Sequence, residues 1–213
     1  TTPDPLLPQK PAKQPLTPAD SQKLETALDD LDQQAAVQLQ AGETEEAFDL
    51  WNRELRLRRF LSSLKEVLAL SRVGAIAWRD NDRKEVQYIT GRLQAIQKRT
   101  QFHYPVDLQL LQALGQAYQQ VRAPNLALEV YNQILTAVKI SGDVAAQVET
   151  LETIGLVNLS WFDYPSAAAT YEQLLKLAES QGDPQNEVTY LQQLAYIYDS
   201  SKQPQQSLNV RNK

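Results

Sequence analysis

The sequence predicts an all-α fold of stacked helical hairpins, and three observations carry that expectation. Nothing along the chain alternates with a period of two, as half-buried strands do. Long stretches of Leu, Ala, Gln and Glu are broken at short intervals by Gly, Asp, Asn or Pro. Small residues recur every 40 positions, at Ala35, Ala75, Gly115, Gly155 and Ala195, with Leu31, Leu111, Leu151 and Leu191 four residues before them. A fixed period of this length is the signature of a repeat array.

The first element is not helical in this reading. Residues 1–19 hold Pro3, Pro5, Pro8, Pro11, Pro15 and Pro18, six of the eleven prolines. Lacking amide donors, they favour extended polyproline II, which predicts a proline-rich tether reaching roughly 55 Å at ~3.1 Å per residue. The chain begins at Thr1 and contains no methionine, which reads as a processed or trimmed form. Together with the absence of cysteine, the tether suits an exported compartment, periplasm or thylakoid lumen, with the cytoplasm as the alternative.

Residues 20–213 then form one repeat domain of about five hairpins, the last incomplete. Thr17, Pro18 and Asp20 give a cap, a proline at the first helical position and an early acid. Leu24, Ala27, Leu28, Leu31 and Ala35 follow at spacings of three and four, one apolar face of a helix. Twelve residues after the ladder comes a second small position, at Ala47, Ala127, Ala167 and Ser207, with Trp51, Tyr131 and Tyr171 four residues later. Small residues at facing positions let paired helices approach, and the aromatic fills the space beside them. Gly142-Asp143 and Gly182-Asp183 mark repeat junctions, while Pro124, Pro165 and Pro204 fall between the two helices of their units.

These landmarks resemble the tetratricopeptide repeat. The match is carried by Leu111, Leu114, Gly115, Tyr118, Ala127, Tyr131 and Ile134, and by Leu151, Ile154, Gly155, Ala167, Tyr171 and Leu174. Leu191, Leu194, Ala195 and Tyr198 continue it. The period of 40 exceeds the family's 34, which requires longer helices or connections. In the second unit Trp78 takes the tyrosine place and the second helix is shifted by one residue. The resemblance implies a right-handed α-solenoid with a concave binding surface. The segment Trp51–Arg59 further resembles exported tetratricopeptide proteins of photosynthetic prokaryotes, which implies help in assembling membrane complexes.

The same resemblance places a partner groove on outward positions of the first helix of each unit. These are Arg72, Ile76 and Arg79, then Gln112, Gln116 and Gln119, then Glu152, Leu156 and Leu159, then Gln192, Tyr196 and Asp199. Glutamines donate and accept together, which suits an extended peptide backbone, while Leu156, Leu159 and Tyr196 offer apolar pockets. A second candidate interface is the turn with Trp161, Phe162 and Tyr164, aromatics that either anchor a partner or pack on the next repeat's turn. A third, the basic run Arg53, Arg56, Arg58 and Arg59, reads as a salt-bridged surface with Glu45, Glu46 and Glu54.

Chemistry is mostly excluded by what the chain lacks. Without cysteine and with His103 as its one histidine, it has no reagents for thiol catalysis, zinc sites or histidine triads. His103 is expected to cap or pack at a repeat junction. Asp80, Asn81 and Asp82 resemble the start of a calcium loop, but Lys84 stands at a ligand place, the required mid-loop glycine is missing and no glutamate closes a twelve-residue loop, so this is a hairpin turn. With 21 Lys and Arg against 26 Asp and Glu, a net charge of −5 gives no field for a nucleic-acid backbone. No apolar run approaches the length of a membrane helix. The expectation is a non-enzymatic scaffold without cofactor or metal that binds a protein or peptide. The alternatives are a ligand-sensing regulatory domain of a larger protein and a self-associating array.

Overall fold

In the computed structural model, described over residues 3–8, 14–102 and 104–213, every regular element is an α-helix. Those of the first half are α1 (Pro18–Gln40), α2 (Thr44–Arg58), α3 (Ser63–Arg79), α4 (Arg83–Thr100) and α5 (Leu108–Gln120). They are followed by α6 (Pro124–Ser141), α7 (Val144–Ser160), α8 (Tyr164–Gln181), α9 (Pro184–Ser200) and α10 (Pro204–Arg211). The expected all-α repeat of hairpins is what the chain forms, paired as α1/α2 through α9/α10. Helices of 17 and 18 residues in α7 and α8, joined by tight turns, account for a period longer than 34. Pro11 and His103 lie outside the described residues.

The chain divides into two compact units, Thr1–His103 with Gln116–Arg122, and Tyr104–Gly115 with Ala123–Lys213. In the first, Thr17 caps α1 as its sequence suggests, accepting the Asp20 amide at 3.1 Å while its hydroxyl donates to the Asp20 carboxylate at 2.7 Å. The predicted stripe of Leu24, Leu28, Leu31 and Ala35 is buried against α2. Trp51 is buried too, with the Phe48 ring edge-on at 5.2 Å and its indole N–H donating to Asp32 at 2.8 Å.

Residues 3–8 depart from the expected extended spacer. Leu6, Leu7 and Leu16 pack on the cluster of Leu24, Leu28, Leu31 and Leu57, and Asp4 pairs with Arg53. The prolines of this stretch were legible, but its apolar and charged anchors outweigh their preference for free, extended backbone.

A left-handed residue sets the register of each hairpin. Gly42, Asn81, Arg122, Phe162 and Lys202 all have φ between 58° and 87°. Each ends the first helix of its hairpin, and after Gly42, Asn81, Phe162 and Lys202 the next amide folds back onto a carbonyl of the last turn, as Asp82 N to Ala77 O and Asp163 N to Asn158 O, both at 2.9 Å. Counting back seven residues gives Ala35, Gly74, Gly115, Gly155 and Ala195. The ladder therefore slips by one in the second hairpin: Gly74, not Ala75, is its small residue. A β-carbon built on Gly74 would meet Ile89 at 3.3 Å and Val121 at 2.7 Å, whereas Ala75 is only half-buried. The place held by Tyr118 in the third hairpin passes to the buried Ala77, and Trp78, expected there, is 49% exposed. Alanine needs less room than tyrosine, so the slip lets apolar Val73 and Ala77 fill the interior.

In the second unit the close approach expected from the small residues is direct. A β-carbon on Gly115 would lie 2.6 Å from the Tyr131 ring, and one on Gly155 would lie 2.8 Å from the Tyr171 ring. Tyr171 in turn meets Tyr190 of α9 with ring centroids 6.3 Å apart. Gly142 and Gly182 close α6 and α8 in the left-handed conformation that glycine adopts without strain. Asp143 and Asp183 then cap α7 and α9 by accepting the amides of Ala146 and Asn186 at 3.0 and 3.1 Å.

Because Tyr171 is buried and unable to retreat, Gly155→Ala should lower stability by about 1–2 kcal/mol, overpacking outweighing the ~1 kcal/mol gain in helix propensity. Gly91, with nothing within 4 Å of an added β-carbon, should gain about 0.5–1 kcal/mol as Gly91→Ala. Urea unfolding of the two variants checks the opposite signs.

Candidate functional site

Among the described residues no group of three or more His, Asp or Glu could hold a metal, and no helix is long and apolar enough to cross a membrane. What the fold offers is surface. Repeat positions not needed for packing are free to vary, so an apolar side chain left outward at such a position is the informative observation.

Within the first unit, the second hairpin does not present the expected set. Arg72 is turned into an ion-pair network rather than outward. It bonds Asp32 and donates to Glu54 Oε1 at 2.7 Å, and Glu54 Oε1 also accepts from Arg58 Nε at 3.0 Å. Arg58 reaches on to Asp29 at 2.8 Å. Glu54 has no exposed surface, and burial pushes its carboxyl above the usual range, against the opposing pull of Arg72 and Arg58. Ile76 is half-buried, and Arg79 is exposed beside Asp80 at 3.7 Å. With the register set by Gly74, the outward places fall instead on Ser71, Ala75 and Trp78. Exact counting by 40 hides Trp78; the Asn-containing turn at Asn81 is the signal that locates it.

Arg53, Arg58 and Arg59 of the basic run are held by partners other than Glu45 and Glu46, while Arg56 is exposed. Arg53 pairs with Asp4, Arg58 with Glu54 and Asp29, and Arg59 donates to the Tyr88 hydroxyl at 2.8 Å. Of the α5 positions, Gln112 groups with the second unit and Gln116 and Gln119 with the first. Gln112 and Gln116 are exposed, and Gln119 is half-buried.

The second unit keeps more of the predicted surface. Leu156 on α7 and Tyr196 on α9 are each 58% exposed, 40 residues apart at equivalent repeat positions. Both helices pack on α8, and the Tyr190 hydroxyl of α9 reaches across to donate to Glu152 Oε1 of α7 at 2.7 Å. That bond takes Glu152 out of the free set, and with burial it raises the Tyr190 pKa. Leu159 is half-buried, Gln192 is exposed, and Asp199 pairs with Arg211. A cleft of about 520 Å³ opens beside Gln192, Tyr196 and Asp199, walled by Val188, Val210 and Arg211. Beyond it Tyr198 donates to Glu172 at 2.6 Å, and burial with that bond pushes its pKa up to about 12.

The aromatic turn is open as well. Phe162 is 74% exposed, its ring edge-on to Tyr164 at 6.3 Å, and Trp161 is exposed while Tyr164 is half-buried. Phe162 is also the left-handed residue of its turn, with φ 59°, a conformation that costs a residue with a β-carbon about 1 kcal/mol.

No protein-family model matches the sequence, and no curated protein resembles it. Solved structures do. The chain is similar to the TPR-like repeats of a kinesin light chain from Podosopora anserina, at 18% identity and a TM-score of 0.51 over 87% of this chain and 92% of that one. It is similar to BtubC from P. vanneervenii, at 16% identity and a TM-score of 0.50 over 91% and 79% of the two chains. A signal-transduction ATPase with numerous domains from Pyrococcus horikoshii, which carries a tetratricopeptide repeat sensor, gives 16% identity and 0.50 over 91% of this chain but 30% of its own. At such identities the likeness is one of fold: an all-α, TPR-like helical repeat.

The placement of Arg72 has a direct consequence. An outward groove residue would be removable without effect, whereas loss of one of the two cations serving buried Glu54 should cost about 1–2 kcal/mol. Thermal or urea unfolding of Arg72→Ala against Arg79→Ala checks this; Arg79→Ala should stay within about 0.5 kcal/mol of the parent.

Proposed function

We propose that the chain is a non-enzymatic protein-interaction scaffold, and that its second unit binds an extended peptide or a helix of a partner across α7 and α9. The reading rests on one observation above the others: Leu156 and Tyr196 are large apolar side chains left outward at equivalent positions of two helices that both pack on α8. Neither is needed by the repeat interior, where Leu151, Ile154, Leu194 and Ile197 supply the packing.

Beside Tyr196, Gln192 offers both donors and an acceptor to a peptide backbone. The cleft bordered by Val188 and Tyr196 is large enough for an apolar side chain from the partner. Exposed aromatic anchors beside adaptable polar groups are the usual make-up of an energetic centre in protein interfaces. Assembly of a larger complex, in an exported compartment, is the role we assign to such binding.

The test is affinity capture from source-cell extract with three baits of residues 1–213 read by quantitative mass spectrometry. A partner held by the parent should be lost, at least tenfold, by Leu156→Gln/Tyr196→Gln and kept by Phe162→Gly. Loss with Phe162→Gly alone moves the site to the aromatic turn, and equal capture by all three contradicts the reading. Phe162→Gly should also raise stability by about 1 kcal/mol by relieving the left-handed phenylalanine, which confirms that the control bait is folded.

A further inference from the structure

The first unit carries a ligand-like segment already in place. Residues 4–7, Asp-Pro-Leu-Leu, form a turn in which the Leu7 amide bonds Asp4 O and the Leu6 amide bonds Asp4 Oδ1, both at 3.0 Å. Aspartate first and proline second are the residues this turn favours, so the segment holds its shape with little help from its surroundings. The turn aims the Asp4 carboxylate at Arg53, whose Nε and Nη2 each donate at 2.8 Å to the two separate carboxylate oxygens. Such a paired fork is the strong geometry for recognising a carboxylate. The Arg53 hydrogen bond holds the Asp4 pKa down at about 2, so the pair persists at all physiological pH. Leu6 and Leu7 meanwhile lie on the buried cluster of Leu24, Leu28, Leu31 and Leu57.

This seat is one end of a larger feature. Arg53, which holds the arm, and Leu50, which packs on the same leucine cluster, also wall a cleft of about 900 Å³ that continues to Gln38, Arg56, Lys84 and Tyr88. The arm leaves that continuation open. A segment longer than residues 3–8 would use the same arginine fork and leucine seat and gain the rest of the cleft besides.

We propose that the α1–α2 face is a second peptide-binding surface, for a partner segment bearing an Asp-Pro-Leu-Leu turn or its close chemical equivalent, which binds by displacing the chain's own arm. The arm is an intramolecular competitor. Its tether gives it an effective concentration in the millimolar range, so a partner must extend into the cleft, or the arm must be loosened, before micromolar ligand takes the site. This surface lies on different residues from those of the proposed peptide site on α7 and α9 and does not depend on it.

The test uses a fluorescein-labelled peptide of sequence PDPLLPQ and the full-length chain, with anisotropy as readout. The arm is released by Asp4→Ala, Leu6→Ala and Leu7→Ala together. The released chain should bind at least tenfold more tightly than the parent, and the gain should vanish on adding Arg53→Ala or on replacing the peptide's aspartate by asparagine. Binding no tighter than the parent's, or indifferent to Arg53, overturns the proposal. Should the released chain lose its helical circular dichroism, the parent decides. Millimolar unlabelled peptide should speed hydrogen exchange at the Leu6 and Leu7 amides several-fold, and unchanged exchange overturns the proposal. A doubled mass in light scattering that the triple variant abolishes would make a second copy of the chain the ligand, and would equally overturn it.

Discussion

Each hairpin closes at a residue small enough for the partner helix to approach, and in the third and fourth the partner lays an aromatic ring on it. Tyr131 over Gly115 and Tyr171 over Gly155 leave no room for even a β-carbon. That closeness buries each ring and brings the flanking leucines into register, so the interior of a hairpin is fixed by a pair of residues on two helices. Everything offered to a partner is what remains on the other faces once this contact is made. In the second unit, Leu156 and Tyr196 are outward because Gly155 and Ala195, one residue before each, are inward.

The first hairpin meets the same constraint with different chemistry. Trp51 stands where the tyrosines stand, and its indole N–H has to find an acceptor in the interior. Asp32 supplies it and so brings a charge inward, which Arg72 answers while also serving Glu54. A chain of five charged residues, Asp32, Arg72, Glu54, Arg58 and Asp29, is thus continuous with one aromatic substitution. Arg72 counts as outward only on an uninterrupted 40-residue ladder; in the register set by Gly74 it lies two residues before the small position, and this network is what it meets there. Packing sets the register, and electrostatics then pairs the charged side chains that the register turns inward.

Most of the architecture was legible because period, caps and breakers are local signals. Thr17, Asp143 and Asp183 cap where their spacing places them, and Gly142 and Gly182 end helices as expected. Asp80-Asn81-Asp82 is a hairpin turn, with Asp82 capping α4 by accepting the Glu85 amide at 3.1 Å. The second hairpin misled because Gly74 and Ala75 are both small, so composition alone does not choose between them. Only the seven-residue step to the left-handed turn does. The arm was missed for a different reason: polyproline preference describes a free chain, and Leu6, Leu7 and Asp4 are not free once α1 and α2 are folded. Long-range seats of this kind leave no periodic trace in a sequence.

The register is the claim from which the surfaces follow, and the cysteine-free sequence makes it directly measurable. Single-cysteine variants Ala77→Cys and Trp78→Cys of the full chain would be labelled with a thiol reagent under native conditions, with the rate of each compared with its unfolded rate. A left-handed turn at Asn81 with Gly74 as the small residue predicts rapid labelling at 78 and strong protection at 77. The reverse pattern, protection at 78 and rapid labelling at 77, would restore the uninterrupted 40-residue ladder and contradict the account.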